Sequence, residues 1–352
     1  MHVTVVVMAG GLGERLWPLV RRDAPKVCLA PEGKRSLLRM TLDRMRFACP
    51  GAEWIIVTTR EQAGPVRRCL PASFRGRVVV EPEGRNTAAC VTLAAAVVAA
   101  REPRRMLVIV PADHWIEDVQ GFRRSVRAAV EAAARYDAIA TIGLRPTYAH
   151  PGLGYLSAGE RLSRARTIPV FGLRRFIEKP SRGMARRLLK QRRTYWNSGM
   201  FVGRSDRVLK AVTRWLPNHA RHLVPLGRAR GASFSRRLRA AYRRLKAISF
   251  DHGVMVHLRG GVVVEGHFRW ADLGTWDTWA RLKRSSGRMI SVNSENVTVV
   301  SQDRHLVAAI GVRDLVVVQT PTATLLCPPD RSQAVREILR RLAADRRLAR
   351  YR

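Results

Sequence analysis

With 352 residues, 46% of them hydrophobic and 18 of them proline, the chain has a globular composition and can bury a sizeable core. Sixty-four Lys and Arg against 27 Asp and Glu give a formal charge of +37, and 12 basic residues without one acidic residue fall within positions 207–250. No apolar run approaches the roughly 20 residues that cross a bilayer, and five cysteines without a Cys-x-x-Cys pair exclude a disulfide scaffold and the familiar zinc motifs.

The chain opens on VVVMAGGLGERLWPL at positions 5–19. Val5, Val6 and Val7 predict a buried strand over 3–8, which breaks into a turn at Gly10, Gly11 and Gly13 with Arg15 beyond. Glycines admit φ > 0 and let main-chain N–H groups approach a ligand, and a following helix would add its unpaired first N–H groups. Arg15 and Lys26 bring positive charge to the same place, so the segment reads as a phosphate site. It is neither a P-loop, which needs Lys-Ser/Thr after the glycines, nor a dinucleotide fingerprint, which needs a small residue where Leu16 stands. An ordinary glycine turn is the structural alternative.

Further along, a helix is predicted over 36–47 with Ser36 as its N-cap, then strands over 54–58 and 77–81. The alanine-rich stretch 87–100 predicts a buried helix, 106–110 a strand, 122–134 a helix and 139–144 a strand. This alternation predicts an α/β fold with a mostly parallel sheet flanked by helices. In such sheets ligands gather at the carboxyl ends of the strands, where both the glycine turn and the PADH sequence at 111–114 fall. Strand signals continue at 154–157, 171–178, 199–203 and 261–265. After about position 287 short β segments (296–301, 306–310, 315–319, 324–326) recur about nine residues apart and lead to a helix over 331–342. They predict a small β-rich unit of β-helix type with a closing helix whose arginine-rich face extends over 332–350. The division is therefore 1–286 and 287–352.

The arginine excess reads either as an anionic-polymer or membrane surface, or as a solvated face. The basic residues are spread along periodic helices without a zinc-finger, RNP or basic-zipper pattern. The expectation is adhesion to polyanions that fades with salt, and no specific nucleic-acid partner. The N-terminus carries no basic n-region or cleavage site, so a cytoplasmic protein is expected.

Five more landmarks stand in order: EPEGRNTA at 81–88, PADH at 111–114, FIEKP at 176–180, WNSG at 196–199 and WADLGTW at 270–276. With the opening loop, this set resembles the bacterial mannose-1-phosphate guanylyltransferases (GDP-mannose pyrophosphorylases) of the sugar-nucleotidyltransferase superfamily, from about Val3 to Leu342. The resemblance implies a Rossmann-like sheet and the reaction of GTP with α-D-mannose 1-phosphate to give GDP-mannose and pyrophosphate. Such a transfer brings two anions together and rests on positioning and charge stabilisation.

By the same resemblance, Asp113 and Asp272 bind Mg²⁺, while Arg15 and Lys26 bind the triphosphate. Ala9, Gly10, Gly11 and Gly13 cradle the nucleotide, and Arg85, Asn86 and Thr87 face the base, with helix capping as the plainer alternative for Asn86 and Thr87. Gly154, Glu178 and Asn197 meet the sugar and Lys179 its phosphate. Val27-Cys28 stands where the family usually has Gln-Phe, Leu153-Gly154-Tyr155 replaces Tyr-Gly-Tyr, and Phe250-Asp251-His252 stands where Asp-Tyr is common. These departures touch fine specificity: another hexose 1-phosphate (glucose above all) or another base remains the near alternative, and a polyanion-binding protein the distant one. No isomerase activity is expected, and a homodimer is the family-level expectation.

Overall fold

The apolar β-branched runs build the sheet where their alternation with helices predicts it. In a computed structural model describing residues 2–31, 33, 35–282, 285–302 and 305–351, Val3–Met8 (β1), Glu53–Thr59 (β2), Arg77–Glu81 (β3) and Met106–Pro111 (β4) pair in parallel in the order β3-β2-β1-β4. Leu37–Ala48 (α1), Ala63–Cys69 (α2), Asn86–Ala99 (α3) and, beyond a short strand His114–Ile116 (β5), Val119–Arg135 (α4) follow these strands in turn. Ser36 caps α1 by accepting from the Arg39 N–H, as its sequence position predicts, and Asp118 caps α4 through Gly121 N.

Ala140–Leu144 (β6), Tyr155–Ala165 (β7), Ile168–Ile177 (β8), Thr194–Arg204 (β9) and Val262–Gly266 (β10) extend the sheet to nine strands, ordered β3-β2-β1-β4-β9-β6-β10-β8-β7. The pairings make β8 and β9 run against the other strands, so the sheet is mostly parallel with two reversed members. Its two faces carry separate cores. One is centred on α3, whose apolar residues face every direction and are almost all buried. The other lies under α1 and α4. The basic stretch forms the helices Ser205–Trp215, Pro217–Leu223 and Gly231–Arg243; their apolar residues join the first core, while Arg236, Arg237, Arg239 and Arg243 face solvent.

Trp270–Asp272 (β11) pairs antiparallel with β5, with Asp272 opposite His114. Beyond it, Arg288–Val292 (β12) pairs in parallel with Leu306–Ile310 (β14), and Glu295–Ser301 (β13) with Arg313–Gln319 (β15). Strands two apart in sequence thus stack, which is the coil of a β-helix. Thr324–Cys327 (β16) closes the second sheet antiparallel to β15. The closing helix is a 3₁₀ turn, Pro329–Ala334, followed by the α-helix Val335–Ala344. Arg352, the last residue of the predicted small unit, lies outside the described residues.

One local expectation fails. The glycine turn leads into a single 3₁₀ turn, Glu14–Leu16, and not into a helix, because Pro18 holds Trp17 in an extended conformation. Leu16, Trp17 and Val20 then bury themselves against Trp276, Val316, Val318, Val335, Leu339 and Leu342 in a third core. Trp17 Nε1 donates to the Tyr351 carbonyl at 2.7 Å, and Trp276 Nε1 donates to the Trp17 carbonyl at 3.1 Å. Among the described residues, no helix is long and apolar enough to cross a membrane.

Candidate active site

The glycine turn leaves β1 with Ala9 fully buried, its N–H donating to Val57 O and its carbonyl accepting from Thr58 Oγ1. Gln62 Nε2 donates to Gly10 O, while a Cβ added to Gly11 would meet no heavy atom within 4 Å, so this part of the loop is open. Gly13 has φ +79°, and the Lys26 N–H donates to Leu12 O at 3.0 Å. The loop and the following turn, Lys26–Cys28, are thereby one unit, with Pro25 at φ −67° fixing the approach.

Lys26 is not a mobile surface charge. Its side chain is 4% exposed, and Nζ lies 2.8 Å from Asp113 Oδ2 and 2.7 Å from Asp272 Oδ1. Burial alone lowers the affinity of the ammonium for its proton, but the two carboxylates outweigh it and hold the group above its ordinary range. Asp272 is likewise held well below the usual carboxylate range: burial works against ionisation, and Lys26 overcomes it. The β5–β11 pairing brings the two aspartates together across more than 150 residues of sequence.

Arg44, from the buried side of α1, supports this loop from behind. Its Nη2 donates to His114 O at 2.9 Å and to Thr41 Oγ1, and burial pushes its proton affinity down to about 9. As one more basic residue in a basic chain it gave no sequence signal. Arg15 is half-buried. Burial, then the charge of Arg336, lowers its pKa while Asp272 raises it, and its Nε has no hydrogen-bond partner among the described residues. It shares with Asp272 and Lys179 a cavity of about 780 Å³ walled by Tyr148, Trp196 and Trp270.

The sugar-side candidates form a second group. Asn197 donates its N–H to Gly154 O at 2.8 Å. A Cβ on Gly154 would stand 2.6 Å from Glu178 Oε2 and 3.3 Å from Asn197 Cβ, so all three are in contact range. Lys179 pairs with Glu178 Oε1 and is itself largely exposed. The structure adds Asp251, to which Asn197 Nδ2 donates at 2.8 Å. Burial and the charge of Glu178 push its carboxyl up to about 6. Its place in the Phe-Asp-His departure marked the position without revealing this contact.

The base-side candidates lie at the start of α3. Arg85 occupies the N-cap position with no side-chain cap bond, so it is not a conventional cap. Its Nε donates to Tyr242 O and its Nη2 to Glu83 Oε1. Asn86, exposed and at φ 64°, accepts from Thr87 N, while the Thr87 hydroxyl accepts from Phe250 N at 2.8 Å. Arg85 is thus tied to the helix Gly231–Arg243, and Thr87 to the short helix Phe250–Gly253 that carries Asp251. Glu81, buried at the end of β3, accepts from Tyr242 OH at 2.8 Å, and burial pushes its carboxyl up to about 7. Its Oε2 lies 3.4 Å from where a Cβ on Gly10 would be, which links base-side and loop residues.

Residues 4–286 match the family model described as "Nucleotidyl transferase", and residues 287–342 match "MannoseP isomerase/GMP-like beta-helix domain". Mannose-1-phosphate guanylyltransferase of Salmonella muenchen is 32% identical over 97% of this chain and 74% of its own length. The enzyme of the same name from Escherichia coli K12 is 31% identical over 97% and 74%. A Thermus thermophilus crystal structure described as mannose-1-phosphate geranyltransferase superposes with a TM-score of 0.86 at 32% identity, covering 97% of this chain and all of its own. From its glycine loop to its coiled β unit, the chain belongs to the nucleotidyl transferase family, together with the mannose-1-phosphate guanylyltransferases.

Proposed function

We infer that the chain transfers a guanylyl group from GTP to α-D-mannose 1-phosphate and releases pyrophosphate. The observation that carries this reading is the ammonium of Lys26 held between Asp113 and Asp272 beside the glycine loop. No Ser/His/Asp set is needed. The sugar phosphate oxygen is itself the nucleophile, and the protein's task is to align two anions and offset their charge.

The donor chemistry fits Mg²⁺. Two hard carboxylate oxygens already share one cation, and among the described residues no cluster of three or more His, Cys, Asp or Glu completes a protein cage. That suits an ion that keeps water and phosphate oxygens as its remaining ligands. Asp113 and Asp272 would hold it, and when bound it supplies positive charge to the phosphate oxygens. Lys26, seated beside those aspartates, and Arg15, at the cavity wall, offer their positive charge to the triphosphate. The open N–H groups around Gly11 receive its oxygens.

Guanine offers an N2–H donor where thymine and uracil present their O2 carbonyl. The Glu81 carboxyl beside Gly10 carries an acceptor oxygen suited to it, with Arg85, Asn86 and Thr87 shaping that end of the cleft. Glu178 and Asn197 hydrogen-bond the hexose hydroxyls where Gly154 lets the chain pass close, and Lys179 reaches the sugar phosphate from the cavity. Cytoplasmic GTP is the donor pool. The exposed apolar side chains Ile290, Val292, Leu306 and Ile310 on β12 and β14 form the face for a homodimer.

The test is a panel of GTP, ATP, UTP and dTTP against mannose and glucose 1-phosphates, read by pyrophosphate release with and without Mg²⁺. GTP with mannose 1-phosphate is expected to be the best pair. A clear preference for UTP or dTTP would overturn the guanylyl assignment.

A further inference from the structure

We propose that Cys28 and Cys69 are a modification site, a dithiol that an oxidant of the peroxide class closes to a disulfide. The two Sγ atoms lie 2.7 Å apart. The two sulfurs are already in direct contact, within reach of a disulfide bond of about 2.05 Å. Both cysteines are free and half-buried, whereas Cys49, Cys90 and Cys327 are buried. This pair alone among the five cysteines combines mutual contact with access to solvent.

The fold makes the encounter. Cys28 ends the turn that begins with Lys26, and Cys69 ends α2, 41 residues later. Cys28 Sγ also approaches Pro65 O on the first turn of α2, which seats the turn against the helix. Cys69 opens onto a surface hollow of about 540 Å³ lined by Arg35, Ser36, Arg39 and Asp43. Solvent and small oxidants reach it there, in a field made positive by Arg35, Arg39 and the adjacent Arg68.

These surroundings divide the roles. The hydrogen bond shared with Cys28, then Ser36 and the charge of Arg68, favour the Cys69 thiolate and bring its pKa down to about 7, although burial opposes this. Cys28, sharing that bond and partly desolvated, is pushed up and keeps its proton. Cys69 is the attacking sulfur and Cys28 the resolving one. The Cys69 thiolate attacks one peroxide oxygen, the O–O bond breaks, and hydroxide leaves to become water, giving a sulfenic acid. The Cys28 sulfur then attacks Cys69 Sγ, the S–O bond breaks, and the Cys28 proton departs with the oxygen as a second water. Two thiols lose two electrons and one peroxide becomes two waters. The bond ties the Lys26 turn to α2, two residues from the buried ammonium, and a dithiol reductant releases it. The cross-link does not depend on the reaction proposed above.

The experiment treats the reduced full chain with hydrogen peroxide and counts free thiols after denaturation. The count should fall from five to three, with a mass loss of two hydrogens, one cross-linked peptide joining Cys28 to Cys69, and full recovery with dithiothreitol. In Cys28→Ser, dimedone should label Cys69 and no disulfide should form; in Cys69→Ser, Cys28 should stay unlabelled. Five thiols surviving in the wild-type chain, a cross-link to Cys49, Cys90 or Cys327, or dimedone on Cys28 in the Cys69→Ser chain would each overturn the proposal.

Discussion

Gly13 and Lys26 approach so closely that a Cβ on the glycine would lie 2.5 Å from the Cβ of the lysine. The glycine's left-handed backbone and its missing side chain are both required for the lysine to reach its two aspartates. Gly13→Ala should therefore cost about 1–3 kcal/mol in a denaturant melt. It should also lower turnover more than this loss of stability explains, because Lys26 is pushed from its seat. An alanine variant with unchanged pyrophosphate release would separate the loop from the lysine.

Asp113→Asn and Asp272→Asn should each leave the circular dichroism spectrum intact, since both side chains are partly exposed and Lys26 keeps one carboxylate. Pyrophosphate release should fall by roughly 10²–10³-fold, the scale seen when one group that stabilises reacting charge is removed. A polyanion-binding protein would behave oppositely and bind heparin as well or better after losing a negative charge. Full activity in both variants would refute the metal role.

The buried carboxyl of Glu81 sets a pH signature. Its folded-state pKa is raised from 4.5 to about 7, so between these values the native state holds a proton that the unfolded chain has released. Stability from this group is complete below about pH 4.5 and is lost as pH rises through 7, on the order of 3 kcal/mol in all. Denaturant midpoints of Glu81→Gln and wild type, compared between pH 5 and 8, should diverge with that sign. Parallel pH curves would show that Glu81 ionises normally.

On the sugar side, Glu178→Ala should weaken use of mannose 1-phosphate by about 1.5–3 kcal/mol, the worth of a hydrogen bond to a charged group, and leave the KM for GTP nearly unchanged. Gly154→Ala, whose new methyl would meet Glu178 Oε2 at 2.6 Å, should imitate it in milder form. Mannose and glucose 1-phosphates differ only at C2, so discrimination rests on one hydroxyl. Mannose should be preferred, with measurable turnover of glucose 1-phosphate. A Glu178→Ala variant impaired in GTP binding alone would reverse the division of the cleft.

The small β unit should matter to the nucleotide loop. Leu339 packs with Leu16 and Trp17 in one core, so Leu339→Ala should destabilise by about 2–4 kcal/mol. It should also raise the KM for GTP, because Arg15 stands on the turn that core supports. Unaltered GTP kinetics at a lowered melting temperature would show that the support is structural only.

The strands β1 to β4 are legible to within about one residue because each is a β-branched apolar run between turn residues, and Ser36 and the alanines of α3 announce themselves equally plainly. The meeting of Lys26 with Asp272 is not legible. It spans 246 positions and depends on a three-residue pairing, β5 with β11, too short to leave a periodic signal. Asp251 and Arg44 are hidden for a related reason: burial, not residue type, makes them unusual. The missing helix after the glycine turn is legible, since Pro18 disfavours helical geometry at Trp17.

The hydrogen bond from Trp17 to Tyr351 joins positions 334 residues apart. A ribosome adding roughly 5–20 residues per second needs on the order of 15–70 s to make that stretch. During that time the turn bearing Arg15 has emerged but lacks Val335, Leu339 and Leu342 to bury Leu16 and Trp17 against. The parallel sheet can form as its strands appear, yet the first loop of the chain is among the last places to be finished. A nascent chain should therefore gain its nucleotide site only after the helix Val335–Ala344 and Tyr351 have emerged, and until then Leu16 and Trp17 stand open to chaperones.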